Sequence, residues 1–110
     1  MANVRENKEL DIYRVIADPN RRKILELLQE EERPVRALQP HLQITMGAIS
    51  QHLQLLLRSG LVSRTKDGKQ RIYRLQARNL QEIDDWLDQF RNFWEDRLDR
   101  LGVYLDKPKP

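Results

Sequence analysis

Apolar residues return every three or four positions over residues 9–17, where Leu10, Tyr13 and Ala17 are flanked by Ile12 and Ile16. That spacing predicts a first amphipathic helix. Asp18 and Pro19 read as an N-cap and a first helical residue, opening a second helix through Ile24, Leu25, Leu27 and Leu28. Three consecutive glutamates, Arg33 and Pro34 close it. A short third helix is predicted over about 35–42, shortened or kinked by Pro40, which lacks a backbone donor. Thr45 suits the N-cap of a fourth helix from Met46 to Ser59, and Gly60 supplies the left-handed residue that stops it, so that Leu61 folds back onto Leu56. On that fourth helix Ile49, Leu53 and Leu56 share an inward face with His52 on its flank. The opposite face carries Gly47, Gln51, Gln54 and Arg58, with Ser50 at its edge.

Residues 61–75 hold two strand-like runs separated by Asp67 and Gly68, a strong signal for a two-residue hairpin loop. With that loop, Lys66 faces Lys69, Arg64 faces Arg71 and Val62 faces Tyr73, and four cations converge on one side of the ribbon. Like charges directly opposite one another repel, so the arrangement calls for an external polyanion. From about residue 79 to 105 a long helix is predicted, its stripe of Leu80, Ile83, Leu87, Phe90, Trp94, Leu98, Leu101 and Leu105 widened by Trp86, Phe93 and Tyr104. So broad a stripe reads as a dimer surface, with packing of the first helix on it as the simpler alternative. Residues 107–110 read as a frayed tail.

Charge sharpens this picture. The formal net charge is only +3, from 20 Lys and Arg against 17 Asp and Glu. Residues 21–74 nevertheless carry eleven cations against five anions, a surplus of +6, while the two ends hold nine against twelve and sum to −3. A basic middle between acidic ends points to one anionic partner surface. With 110 residues, of which 39% are hydrophobic and 34% charged, the chain is expected to form one small, charge-rich binding domain. The absence of cysteine excludes disulfides, thiolate metal sites and cysteine nucleophiles. Neither a signal-peptide core nor a membrane-spanning run is present, which predicts a cytoplasmic chain without membrane contact.

Three short helices, a fourth with a polar face, a basic hairpin and a terminal helix compose a mainly α winged helix-turn-helix with a small β-hairpin wing. The segments ADPNRRKILELL (17–28), ISQHLQLLL (49–57), SGLV (59–62) and IYRL (72–75) resemble the ArsR family of bacterial transcriptional repressors. The resemblance covers about residues 10–76 of a single domain, with a C-terminal dimerisation helix over about 79–105. The closing FWEDRLDRL (93–101), with Tyr104 and Leu105, looks like the subset of that family without metal sites. Metal-sensing members carry a Cys-Val-Cys element where this chain has Pro34, Val35 and Arg36, and others use Asp and His pairs on a last helix that here has no histidine. His41 and His52 alone offer no convincing ligand set, so neither a metal nor another cofactor is expected.

By resemblance, a homodimer sets two fourth helices into successive major grooves, roughly 34–36 Å apart, on an approximately palindromic double-stranded operator. Tyr13 and Leu10 of the first helix and Leu87, Phe90, Trp94, Leu98, Leu101 and Leu105 of the last are the expected dimer contacts. Gln51 and Gln54 are the best placed for base edges, since a glutamine pairs bidentately with adenine. Ser50 and Thr45 suit phosphate or base. Gly47 and Ala48 stand where family members often have polar residues, which favours close approach there and an Ala48 methyl against a thymine methyl. Met46 reads either as a groove contact or as core filler, and His52 as a structural or phosphate-bonding residue. Arg36, Arg64, Lys66, Lys69 and Arg71 are assigned to the phosphate backbone. Arg21, Arg22 and Lys23 sit where the helix dipole disfavours cations; Arg22 is in reach of Glu26, and Arg21 reads as structural.

Two other functions compete. Carboxylates Asp84, Asp85, Asp88, Glu95, Asp96 and Asp99 on the last helix suggest an enzyme, but they alternate with Arg91, Arg97 and Arg100 as a salt-bridged solvent face does, with no nucleophile–base pair beside them. A winged-helix RNA-binding or protein-assembly module without operator specificity is the other, and the basic wing argues against it. Without metals, control is left to an unidentified effector, a small ligand or a protein partner, or to simple autoregulation.

Overall fold

A computed structural model describes residues 11–101, with backbone only at 101. The elements are α1 (Ile12–Ile16), α2 (Pro19–Glu30), β1 (Arg33–Pro34), two 3-10 turns (Val35–Ala37 and Gln39–His41), α3 (Met46–Arg58), β2 (Val62–Asp67), β3 (Gln70–Leu75), a third 3-10 turn (Ala77–Leu80) and α4 (Gln81–Leu101). They fall into two compact units, Met1–Leu80 and Gln81–Pro110.

In the first unit the helices start where their caps allow. The Asp18 carboxylate accepts from the backbone N–H groups of Asn20 (2.8 Å) and Arg21 (3.2 Å), with Pro19 at the first position where no donor is needed. Thr45 Oγ1 accepts from Ala48 N at 3.1 Å and opens α3. At the far end of α3, Gly60 takes φ +79°, Gly60 N donates to Leu57 O and Leu61 N donates to Leu56 O. This is the left-handed cap expected of a glycine at that place. Asn79 Nδ2 donates to Gly60 O, and a Cβ on Gly60 would come within 3.1 Å of the same amide.

The expected third helix over 35–42 is replaced by the two 3-10 turns. Pro34 precedes the first in extended backbone and Pro40 occupies the second, so neither i→i−4 bonding nor a run of helical φ/ψ spans the segment. Leu38 and Leu42 are still buried from it.

The wing belongs to a three-stranded antiparallel sheet of order β1-β3-β2. The two-residue strand β1, with Arg33 opposite Tyr73 and Pro34 opposite Ile72, was not foreseen, because two residues leave no alternation to read. The hairpin register also differs from expectation by one position in the loop. Gly68, at φ +66°, is the first loop residue and Lys69 the second, while Asp67 pairs with Gln70. A glycine leading a two-residue loop suits a type II′ turn, which matches the twist of the strands. Val62 therefore faces Leu75, Arg64 faces Tyr73, and Lys66 faces Arg71. One like-charged pair lies across the ladder where two were expected.

The core of this unit gathers Val15 from α1, Ile24, Leu27 and Leu28 from α2, Leu38 from between the two 3-10 turns, Ile49, Leu53 and Leu56 from α3, Leu61 from just before β2, and Val62 and Tyr73 from the sheet, all buried. Among the described residues the second unit is the single helix α4, whose ion pairs Arg91–Asp84 (2.6 Å), Arg91–Asp88 (2.5 Å) and Arg100–Asp96 (3.0 Å) line its polar side. Trp86, Phe93, Trp94 and Leu98 stand 43–54% exposed on it. Among the described residues, no helix is long and apolar enough to cross a membrane. Leu10, Leu105 and the Leu101 side chain, expected at a dimer surface, lie outside the described residues.

Burial raises the pKa of Asp18, but the backbone N–H donors of Arg21 and Asn20, with the charge of Arg21, outweigh it and hold the carboxyl below its ordinary 3.8. A folded-state pKa below the unfolded one means that ionised Asp18 stabilises the fold above that value, and that this contribution is lost as pH falls through the lower, folded one. Asp18→Ala is expected to cost about 1 kcal/mol at neutral pH and to remove that part of the acid-limb loss, read by urea unfolding at a series of pH values.

Candidate nucleic-acid interface

The stripe Ile49, Leu53 and Leu56 is 0–1% exposed, so α3 is held by one side and turns the other outward. Exposed on that outer side are Gly47, Ser50, Gln51, Gln54 and Arg58, with Thr45 exposed at the cap. Ala48 and Met46 are half-buried. The Thr45 hydroxyl is engaged as the cap acceptor and has its remaining valences for a further partner.

Beside the start of α3 lies an open cleft lined by Pro34, Val35, Arg36, Met46 and the wing residues Lys66, Gly68, Lys69, Gln70 and Arg71. Four of its lining residues are cations, and none is an anion. Arg36 reaches across it, donating from Nη2 to Gln70 Oε1 at 3.1 Å. That bond joins the first 3-10 turn to the wing over 34 positions of sequence, a pairing that no local spacing signals. Met46 lines the cleft at the place where the helix and the wing meet. Arg64 is on the same strand face as Lys66 and Arg71 but lies nearer the core, where its Nη1 is 3.4 Å from the Tyr73 hydroxyl. Lys69 leaves the strand face for the turn.

Other cations of the basic middle are engaged within the fold. Arg33 donates to Leu27 O and Glu30, and Arg74 makes a two-bond contact with Glu32 at 2.7 and 3.1 Å. Arg22 donates to the carbonyls of Ile16 (2.7 Å) and Ala17 (3.1 Å). Arg21 donates to Val15 O (2.7 Å) and Arg14 O (3.4 Å) and meets His52 Nδ1 at 3.1 Å. Both arginines thus place positive charge on the carbonyl end of α1, where the helix dipole favours it, although they spring from the N-terminal turn of α2. Sequence spacing alone brought out neither contact.

Set side by side, the polar helix face and the basic cleft match the two parts by which a winged helix grips DNA. Comparison with known proteins supports that match. The model for "Bacterial regulatory protein, arsR family" fits residues 18–64, from the cap of α2 into the wing. The chain is 32% identical over 82 residues to the transcriptional repressor SdpR of Bacillus subtilis, covering 74% of this chain and 91% of that protein. It is 35% identical over 82 residues to an arsenical resistance operon repressor of Staphylococcus xylosus, covering 74% of this chain and 79% of the relative.

The chain belongs to the ArsR family.

A crystal structure described as a possible transcriptional regulator for arsenical resistance superposes with TM-score 0.64 at 40% identity, covering 87% of this chain and 95% of that one. This ArsR-family chain is therefore a DNA-binding transcriptional regulator of the repressor type, not an enzyme. Its Asp-rich last helix agrees with that assignment, for Asp84, Asp88 and Asp96 are taken up in ion pairs with arginines.

The Arg36–Gln70 bond makes the wing part of the helix-turn-helix frame. Gln70→Ala is expected to loosen residues 66–71 without lowering global stability by more than about 1 kcal/mol, since one exposed hydrogen bond is lost. Backbone 15N order parameters for the wing check this, and unchanged values contradict it.

Proposed function

We propose that this repressor acts as a homodimer in the bacterial cytoplasm, reading an approximately palindromic operator with α3 and gripping its phosphates with the wing. Gln51 and Gln54 contact base edges, Ser50 and Thr45 contact base or phosphate, and Gly47 with Ala48 lets the helix approach closely. Arg36, Lys66, Lys69 and Arg71 bind the backbone, and Arg64 supports them from the base of the wing. The observation that carries this reading is the exposed face of small and uncharged polar residues on α3 adjoining a cleft lined by four cations. Charge beside an uncharged polar face suits a partner that is polyanionic outside and hydrogen-bonding within, as a duplex is.

Dimerisation through α4 is supported by its exposed Trp86, Phe93, Trp94 and Leu98, alongside half-buried Leu87 and Phe90, and Tyr13 contributes from α1. Control by something other than a metal is supported by the residue set itself. No cysteine is present, so no thiolate ligand is available. An effector of another kind then relieves repression.

Gln51→Ala or Gln54→Ala is expected to relax sequence preference by about 1–3 kcal/mol at one base position, measured on duplexes selected by the full chain from a random library. Lys69→Ala or Arg71→Ala is expected to weaken all duplexes alike and to flatten the dependence of log affinity on log salt by about one unit. A salt slope equal to the parent's removes the wing from the interface. Trp94→Asp is expected to sediment as a monomer; a dimer that survives excludes α4 as its seam.

A further inference from the structure

His52 sits on the flank of α3, between the buried stripe and the outward face, and its ring is held by a residue of another helix. Arg21, on the first turn of α2, is half-buried and its guanidinium makes contacts in three directions: Nε to Val15 O at 2.7 Å, Nη2 to Arg14 O at 3.4 Å and Nη1 to His52 Nδ1 at 3.1 Å. The Arg21 backbone N–H is itself fixed by the Asp18 carboxylate at 3.2 Å. An arginine side chain has donors only and stays charged. Nδ1 of His52 must therefore be the acceptor, which makes the ring neutral with its hydrogen on Nε2.

We propose that Arg21 is a positioning residue for operator reading: it ties the DNA-reading helix to the carbonyl end of α1 through the ring of His52. The proposal rests on α3 being the reading helix. Ile49, Leu53 and Leu56 hold the helix from one side, and the directional hydrogen bond on the flank adds a constraint on its rotation about its axis. Fixing that rotation fixes where Gln51 and Gln54, the neighbours of His52 on the outward side, meet the base edges. Such preorganisation raises specific affinity and leaves backbone affinity unchanged.

The charges around His52 are Arg21 from α2 and Asp18 from its cap, the latter near enough for His52 to bear on its carboxyl. Arg14 of α1 lines the adjoining hollow with Arg21, Val15 and Leu55.

The test uses the full chain and a fluorescein-labelled duplex that the chain itself selects from a random library, with a scrambled duplex of equal length as reference. His52→Leu, which removes the acceptor, is expected to lower the ratio of the two affinities about tenfold through the selected duplex alone, the worth of one hydrogen bond to a charged group. His52→Asn keeps an acceptor near Nδ1, and its ratio is expected to stay at the parent's; His41→Gln is expected to follow the parent. A His52→Leu ratio equal to the parent's overturns the proposal, as does a His52→Asn ratio that falls with it. If His52→Asn does not fold, 15N spectra of the parent's imidazoles decide: a bare Nδ1 on His52 at about pH 8 supports the tie, and a protonated Nδ1 refutes it. Gln51→Ala, measured in the same way, tests the reading helix separately, so the two failures are told apart.

Discussion

The burial of one stripe on α3 governs what the rest of the molecule can do. Ile49, Leu53 and Leu56 have almost no exposure, and they lock a 13-residue helix to α2 and β2 by a single side. Because the apolar positions claim that side, Gly47, Ser50, Gln51 and Gln54 are left facing outward. Around this constraint the caps at Thr45 and Gly60 set the helix length, and the 3-10 turns before it tuck Leu38 and Leu42 under its flank. The polar tie from Arg21 to His52 adds a directional constraint on the rotation of that helix.

Eight of the eleven cations of the middle segment sort into two populations with different physics. Arg21, Arg22, Arg33 and Arg74 are spent on carbonyls and glutamates inside the first unit. Arg36, Lys66, Lys69 and Arg71 line one cleft beside α3 with no acidic lining residue among them. A net charge says nothing about this division, since both kinds contribute equally to it. Only the second kind creates a local field able to hold phosphates, and the field is focused where the wing meets the helix.

Much of this was readable from the sequence because the relevant signals are local. The Asp18 and Thr45 caps, the Gly60 stop and the stripe of α3 each depend on a few consecutive residues, and the structure has them where spacing put them. Prolines 34 and 40 were recognised as disruptive, yet whether a short helix bends or becomes 3-10 depends on tertiary packing around Leu38, which spacing does not encode. The hairpin was visible but its register was not, since Asp67-Gly68 and Gly68-Lys69 are both acceptable loops and only the pairing of Arg64 with Tyr73 and Val62 with Leu75 against the core selects one. Contacts that span the fold, Arg36 with Gln70 and Arg21 with His52, leave no trace in periodicity at all.

The central claim is that the outward face of α3 and the wing together form the DNA surface of this ArsR-family repressor. It is tested most directly by following backbone amide signals of the 15N-labelled full chain as the selected duplex is added. The account predicts that the largest changes fall at residues 45–54 and 66–71, with the acidic side of α4 around Asp84 and Asp88 unmoved. Changes centred on α4, with residues 45–54 left where they were, would contradict it.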